Sequence, residues 1–321
     1  MGIRRCLKNI LLTGWNWKKF SWSAEMNENL LLQKELVDKH LSARPRQLSL
    51  LSFVQLFLWG GHFTFEFKTI DASLCVFARA EHGAFLYFPP LGKKLSAKTA
   101  QKVFALLDKH NNGRGVGRIE NVQAQELDAF PQSAWRHYLK GYEYCYYRRD
   151  LVEFCGPGYK SKRNAYNSFM RHGTFIYSPF APEMLEDCLR LYDEWAQERR
   201  RTHDAVYQQM LLENRDVHRR GMENFQALGL VGRVVIVDGK IRAYTFGYAL
   251  NETIFCVLFE VADLALKGLP VFIFREFCRD PEVASFPFIN VMDDFGLENV
   301  AQAKLSFRPA LLVPAYNITP R

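Results

Sequence analysis

The 321-residue chain contains no run of about 18 apolar residues, so no segment of it reads as a membrane-spanning helix. It has no CxxC and no HxxxH pair. Its cysteines (Cys6, Cys75, Cys145, Cys155, Cys188, Cys256 and Cys278) are odd in number and mostly lie in apolar runs. That pattern speaks against a disulfide framework and for reduced, buried thiols in a cytoplasmic protein. The histidines show no metal-ligand spacing, so no metal site is expected. The one glycine-rich stretch, Gly113–Arg118 (GRGVGR), precedes a strand pattern instead of following one, and so lacks the context of a dinucleotide loop. It reads as a loop in which Arg114 and Arg118 face solvent or an anion. No exact internal repeat is visible, and no cofactor is expected.

What is present is positive charge. Lys and Arg number 42 against 34 Asp and Glu, a net +8, which favours anionic partners such as nucleic acid or an anionic membrane surface. The first 29 residues are basic with Leu and Trp interleaved. Their apolar core is too short for a signal peptide, and Cys6 breaks the myristoylation pattern. They read as a poorly ordered extension, with Met26 as an alternative start. The competing reading is a short amphipathic segment lying on a membrane surface.

From Leu30 onward the patterning is globular. Helical spacing occupies Leu30–Leu41, Leu48–Trp59, Lys98–Lys109, Pro182–Arg199 and Asp204–Leu228. Alternation marks a strand at residues 62–71, a hairpin turning at Glu81-His82-Gly83, and a second hairpin turning at Asp238-Gly239. The segment 305–318, with Pro309 and Pro314, reads as an edge-like strand. Helices, hairpin, further strand, helix and late strand recur in both halves. The expected fold is therefore α+β, with two tandem domains, each a mixed and mostly antiparallel sheet flanked by helices. The expected divisions are an extension at 1–29 and domains at 30–165 and 166–321.

One stretch stands apart: residues 142–169, YEYCYYRRDLVEFCGPGYKSKRNAYNSF. An aromatic strand runs into a Gly-Pro-Gly turn and then a helix start carrying Lys160, Lys162 and Arg163. Tyr166 and Phe169 share a face with Lys162 at helical spacing, so they anchor a helix whose cations face a groove. The alternatives are a solvated helix face and, for the aromatics, a stacking platform for RNA bases.

This block resembles the phosphatidylglycerol lysyltransferase C-terminal domain family, the DUF2156 family. Lys162-Arg163-Asn164 is similar to its basic core. Residues 228–263 and 267–277 are similar to a later stretch. Asn290, Asp294, Gly296 and Lys304 are similar to a pattern that closes the family domain. The resemblance runs from about Lys34 to the C-terminus and implies two tandem acyltransferase folds of the GNAT type. It implies transfer of an amino acid from aminoacyl-tRNA to phosphatidylglycerol or another small acceptor, with peripheral contact at the inner face of the membrane. The chain departs from the pattern at Leu258, Val261, Val291 and Ala301, where the family carries charges.

The residues carry the same reading in their own chemistry. Aminoacyl transfer requires a placed acceptor, a proton acceptor and a donor to the developing oxyanion. Glu260, at the end of an apolar strand, suits the proton transfer, with Asp294 positioning an amino group or taking a proton. Asp293 reads as a cap of the Gly296 turn. Lys304, in the apolar context AKLSF, suits the oxyanion or a phosphate; as a bland alternative it snorkels. Lys160, Lys162, Arg163, Asn164 and Asn290 are the candidate substrate contacts. Two further functions compete. One is a non-catalytic binding module on the same fold. The other is an acyl-CoA-dependent N-acyltransferase, against which stands the lack of a Q/R-x-x-G-x-G/A loop after residue 263.

Overall fold

The computed structural model describes residues 29–80, 83–200 and 205–321. Residues 1–28 of the expected extension, Glu81 and His82 of the 81–83 turn, and the expected helix start at Asp204 lie outside the described residues. The strands, in chain order, are β1 (Thr64–Ile70), β2 (Ser73–Ala80), β3 (Gly83–Leu86), β4 (Ile119–Gln123), β5 (Trp135–Tyr147), β6 (Phe175–Pro179), β7 (Val231–Val237), β8 (Lys240–Ala249), β9 (Ile254–Ala262), β10 (Phe288–Asn290) and β11 (Leu311–Pro320). The helices are α1 (Lys34–Leu41), α2 (Phe53–Trp59), α3 (Ala97–His110), α4 (Arg148–Glu153), α5 (Lys160–Met170), α6 (Leu185–Arg200), α7 (Ala205–Glu223), α8 (Phe225–Leu228), α9 (Leu269–Arg279) and α10 (Glu298–Leu305). The α+β class expected from the patterning is what the chain adopts.

The chain forms two compact units. The first takes Met1–Glu143, Asp293–Ala301 and Leu312–Arg321; the second takes Tyr144–Met292 and Gln302–Leu311. The division expected between residues 165 and 166 falls inside α5.

In the first unit the strand order is β1-β2-β3-β4-β11, followed by the start of β5. β11 is thus an interior strand and not the edge strand its prolines suggest. Its register explains why: pairing with β4 begins at Ala315↔Gln123, beyond Pro314, so neither proline has to donate to that ladder. Helix α3 presents Ala100, Val103, Phe104 and Leu107 to Phe77, Leu86, Ile119, Val122 and Trp135. Ser96 starts the helix by accepting the Thr99 N–H at 3.1 Å. Asn111 ends it, its side chain bonding the N–H and C=O of Ala84 at 2.7 and 2.9 Å.

In the second unit the order is the end of β5, then β10, β9, β8, β7 and β6. All pairs are antiparallel except β9 with β10. Helices α6 and α7 cover one face. There His218 is buried, donating to or accepting from Tyr244 at 2.7 Å and stacked on Phe259 at 4.0 Å. Burial holds its imidazole neutral, pushed down to about 3, so it is a core residue. Helices α5 and α9 cover the other face, where Tyr166, Phe169, Leu269, Phe272 and Ile273 meet Val235, Val237 and Ala243. Full burial of one such Phe contributes about 1.5–3 kcal/mol. The two helices approach so closely at Gly268 that a Cβ there would run into the Ala165 carbonyl, and its φ of 89° also demands glycine.

Candidate active site

The site is built on an irregularity of β9. Phe246 pairs with Phe259 and Gly247 with Val257, which leaves Leu258 as an extra residue. Such a bulge reverses the alternation of side chains beyond it. Phe255, before the bulge, packs on Phe277 of α9, whereas Phe259 turns to His218 of α7. Glu260 is thereby sent to the α5/α9 face, where an unbroken strand would have buried it against α7. Gly247 permits the bulge, since a Cβ there would collide with Phe255 and the Cys256 carbonyl.

β10 contributes a second irregularity. It pairs with β9 only from Ile254 to Cys256 and ends at Asn290. From Val257 onward that edge of β9 pairs with no strand among the described residues. Glu260 sits on this free stretch. Glu260 is exposed to solvent, and desolvation by the protein atoms around it pushes its carboxyl up to about 8. Its contact with solvent moderates that desolvation. The charges of Lys304 and Lys162 act the other way and favour the carboxylate.

Lys162 lies on α5, whose entry is tightly fixed. Phe154 ends α4 in the left-handed region (φ 51°) and stacks on Tyr159 at 5.3 Å. Arg163 donates to the carbonyls of Phe154 and of Gly156, the latter at 2.7 Å. The Tyr159 hydroxyl donates to the Phe307 carbonyl at 2.8 Å. The Lys162 ammonium then donates to Ser306 Oγ at 2.6 Å and stands 3.6 Å from the centre of the Phe307 ring. Burial lowers its pKa, and Glu260 opposes that shift.

Lys304 reaches the same carboxylate electrostatically from α10 while serving the backbone. Its ammonium donates to the carbonyls of Val291 at 2.6 Å and Met292 at 3.3 Å. Met292 has a left-handed backbone (φ 63°), a conformation that must be held in place. Asn290, fully buried, accepts the Met292 N–H at 2.7 Å through its side chain. Lys304 and Asn290 therefore secure the turn that ends β10.

The remaining sequence candidates separate. Lys160 and Asn164 are exposed on the first turns of α5. Arg163 is occupied with the turn before the helix. Asp294 belongs to the first unit, where its carboxylate accepts the Gly296 N–H at 2.8 Å, the capping task the sequence suggested for Asp293. Of the aromatic strand, Tyr144 and Tyr146 are buried and Tyr142 and Tyr147 exposed. The Tyr146 hydroxyl donates to the Lys304 carbonyl at 2.8 Å, fixing the end of α10. Sequence pattern alone assigns no role to Ser306 and Phe307, although they lie two and three residues after Lys304. Their small and apolar character gave no chemical signal without the fold.

With this geometry in view, the family model for phosphatidylglycerol lysyltransferase, C-terminal, matches residues 43–319. The chain belongs to that family, a transferase family of the aminoacyl or acyl kind. Among solved structures it resembles a conserved protein of unknown function from Bacteroides thetaiotaomicron, with 26% identity and a TM-score of 0.79 over 91% of this chain and 97% of that one. It also resembles the DUF2156 domain at the C-terminus of a protein named for lysylphosphatidylglycerol synthetase, from Agrobacterium fabrum (13%, TM-score 0.63, 91% and 92% covered). A third likeness is to L-PGS from Bacillus licheniformis (18%, TM-score 0.59, 92% and 91% covered). The last two are likenesses of fold. No curated protein matches the chain. Among the described residues no helix is long and apolar enough to cross a membrane, and no cluster of side chains could hold a metal ion.

Proposed function

We propose that the protein moves an amino acid from aminoacyl-tRNA onto phosphatidylglycerol or another small anionic acceptor, with Glu260 as the proton acceptor. The observation that carries this reading is a carboxyl group raised to about 8, on a strand edge left open by β10, with two lysines in electrostatic reach. A base is most effective when its pKa lies near the working pH. The acceptor hydroxyl oxygen attacks the ester carbonyl, and the bond to the tRNA ribose oxygen breaks. The acceptor's proton passes to Glu260 and from there to the leaving ribose hydroxyl. Lys162, with Lys160 in the same first turn of α5, supplies positive charge for the acceptor's phosphate. Backbone N–H groups of the open β9 edge are the candidate donors to the oxyanion.

The acyl-CoA reading has less support. A pyrophosphate would sit at the N-terminus of α9. There the Leu269 N–H is already bonded to the Leu266 carbonyl at 3.1 Å, Pro270 has no N–H, and Gly268 is wedged against Ala165. The binding-module reading is favoured by one observation, that Lys304 is engaged with two backbone carbonyls.

The test is incubation of the purified protein with tRNA charged in turn with each radiolabelled amino acid, together with phosphatidylglycerol vesicles. Label is expected in the extracted lipid and should be lost with Glu260→Gln. Vesicle binding with no label from any charged tRNA would instead establish the binding module. A rise in melting temperature on adding CoA would favour the third reading.

A further inference from the structure

We propose that Ser306 and Phe307 are positioning residues that hold the Lys162 ammonium in electrostatic reach of Glu260 and so set the protonation state of that carboxyl. Their contribution to catalysis rests on the reading of Glu260 given above; the coupling itself does not. The Ser306 hydroxyl donates its own proton to the Ala303 carbonyl. It therefore meets Lys162 only with lone pairs, and it accepts from the ammonium at 2.6 Å. The face of an aromatic ring likewise attracts a cation far more strongly than a neutral amine. Both partners of Lys162 thus bind its charged form more strongly than the neutral amine, at a place where burial favours the neutral one. The clamp is anchored in turn. Phe307 packs against Phe274 of α9 with ring centres 4.9 Å apart, and its carbonyl takes the Tyr159 hydroxyl. Gly158 lies directly under the Arg308 guanidinium, which closes the segment onto the start of α5. This ties the lysine of one helix to the tail of another, so the charge near Glu260 depends on both.

The groups acting on Glu260 come from three elements: Lys162 of α5, Lys304 of α10 and the Cys278 thiol of α9. Burial raises Cys278 far above the usual thiol range, so it stays neutral. Lys304 is held by its own carbonyls. Lys162 is thus the charge that Ser306 can move. Without Ser306 it either loses its proton more readily or swings into solvent, and in both cases Glu260 loses a neighbouring charge.

The experiment is NMR titration of the Glu260 carboxyl in protein carrying carbon-13-labelled glutamate, with the resonance assigned by Glu260→Gln. Ser306→Ala is expected to raise the titration midpoint by on the order of half a pH unit, the scale of removing one screened charge. Lys162→Met should raise it at least as far, and Ser306→Ala on top of Lys162→Met should add nothing. Ser306→Thr should restore the wild-type midpoint. An unchanged midpoint in Ser306→Ala, or an equal rise with Lys162 already removed, would overturn the proposal. None of these readings uses transferase activity. A shifted midpoint in a protein that transfers nothing would sink the proposed function and leave the clamp standing.

Discussion

Two glutamates, one in each unit, each have two cations acting on them, and their carboxyls shift in opposite directions. Glu120, in β4, is packed among protein atoms and has two cations beside it, Lys140 at 2.8 Å and Arg118 at 2.6 Å. Glu260, in β9, is more exposed and has two cations in electrostatic reach, neither of them hydrogen-bonded to it. Burial raises both carboxyls. In Glu120 the charges of Lys140 and Arg118, both at hydrogen-bonding distance, overcome burial and, with those hydrogen bonds, bring it down to about 2. In Glu260 desolvation by the surrounding protein atoms outweighs the two charges and the group rises to about 8; Lys162 and Lys304 direct hydrogen bonds to Ser306 and to backbone carbonyls. A charge in electrostatic reach is therefore not enough to hold a carboxylate ionised; the cations must stand in direct contact with it, as Lys140 and Arg118 do at Glu120.

The comparison breaks most visibly in stability. Glu120→Gln is expected to cost about 3–5 kcal/mol in urea denaturation, since Lys140 and Arg118 are left half-buried without their counter-charge. Glu260→Gln should cost little or nothing, because the native state already disfavours the charge. Equal losses in the two variants would erase the distinction. In transfer assays Glu260→Gln should lower turnover about a hundredfold or more, the usual scale for losing a general base.

Smaller effects sharpen it. Arg163→Ala should lower stability by about 1–2 kcal/mol, because the carbonyls of Phe154 and Gly156 lose a charged donor. The same substitution at Lys160 should stay within about 0.5 kcal/mol. The pH dependence should follow the two carboxyls in opposite directions. Glu260 binds a proton more tightly folded than unfolded between 4.5 and about 8, so its contribution to stability falls as pH rises through that window. Glu120 does the reverse, and its contribution is lost as pH falls from 4.5 toward about 2. The stability of the wild type relative to Glu260→Gln should therefore be higher at pH 5 than at pH 8.5. Least of all, Lys160→Ala should flatten the salt dependence of tRNA binding by a slope of about 0.7, while Arg163→Ala leaves it unchanged. An unaltered slope for Lys160→Ala would remove α5 from the binding surface.

Much of this protein was legible in its residues. Periodicity alone yields α3 and the β7–β8 hairpin, because helical and strand spacing follow from where apolar side chains must point. The family pattern in residues 290–304 and the basic block at 162–164 announce the transferase family. Glu260 draws notice as a charge at the end of an apolar strand, and Tyr166 and Phe169 are read correctly as the buried anchors of α5.

Other features depended on contacts distant in sequence. Whether β11 is an edge or an interior strand is decided by its partner β4, about 190 residues away, which no local pattern records. The tasks of Arg163, Asp294 and Lys304 were open because each side chain could equally meet solvent, ligand or backbone. The fold gave all three to backbone groups that would otherwise lack partners. The two irregularities that make the site, the extra residue at Leu258 and the early end of β10, arise from register between strands. The sequence by itself determined the α+β class, the family and the identity of the chemical groups, since these follow from side-chain pattern and type. Tertiary structure alone decided which carboxylate is left without direct hydrogen bonds from its cations, because a pKa is set by the atoms around a group and those come from β9, α5, α9 and α10 together.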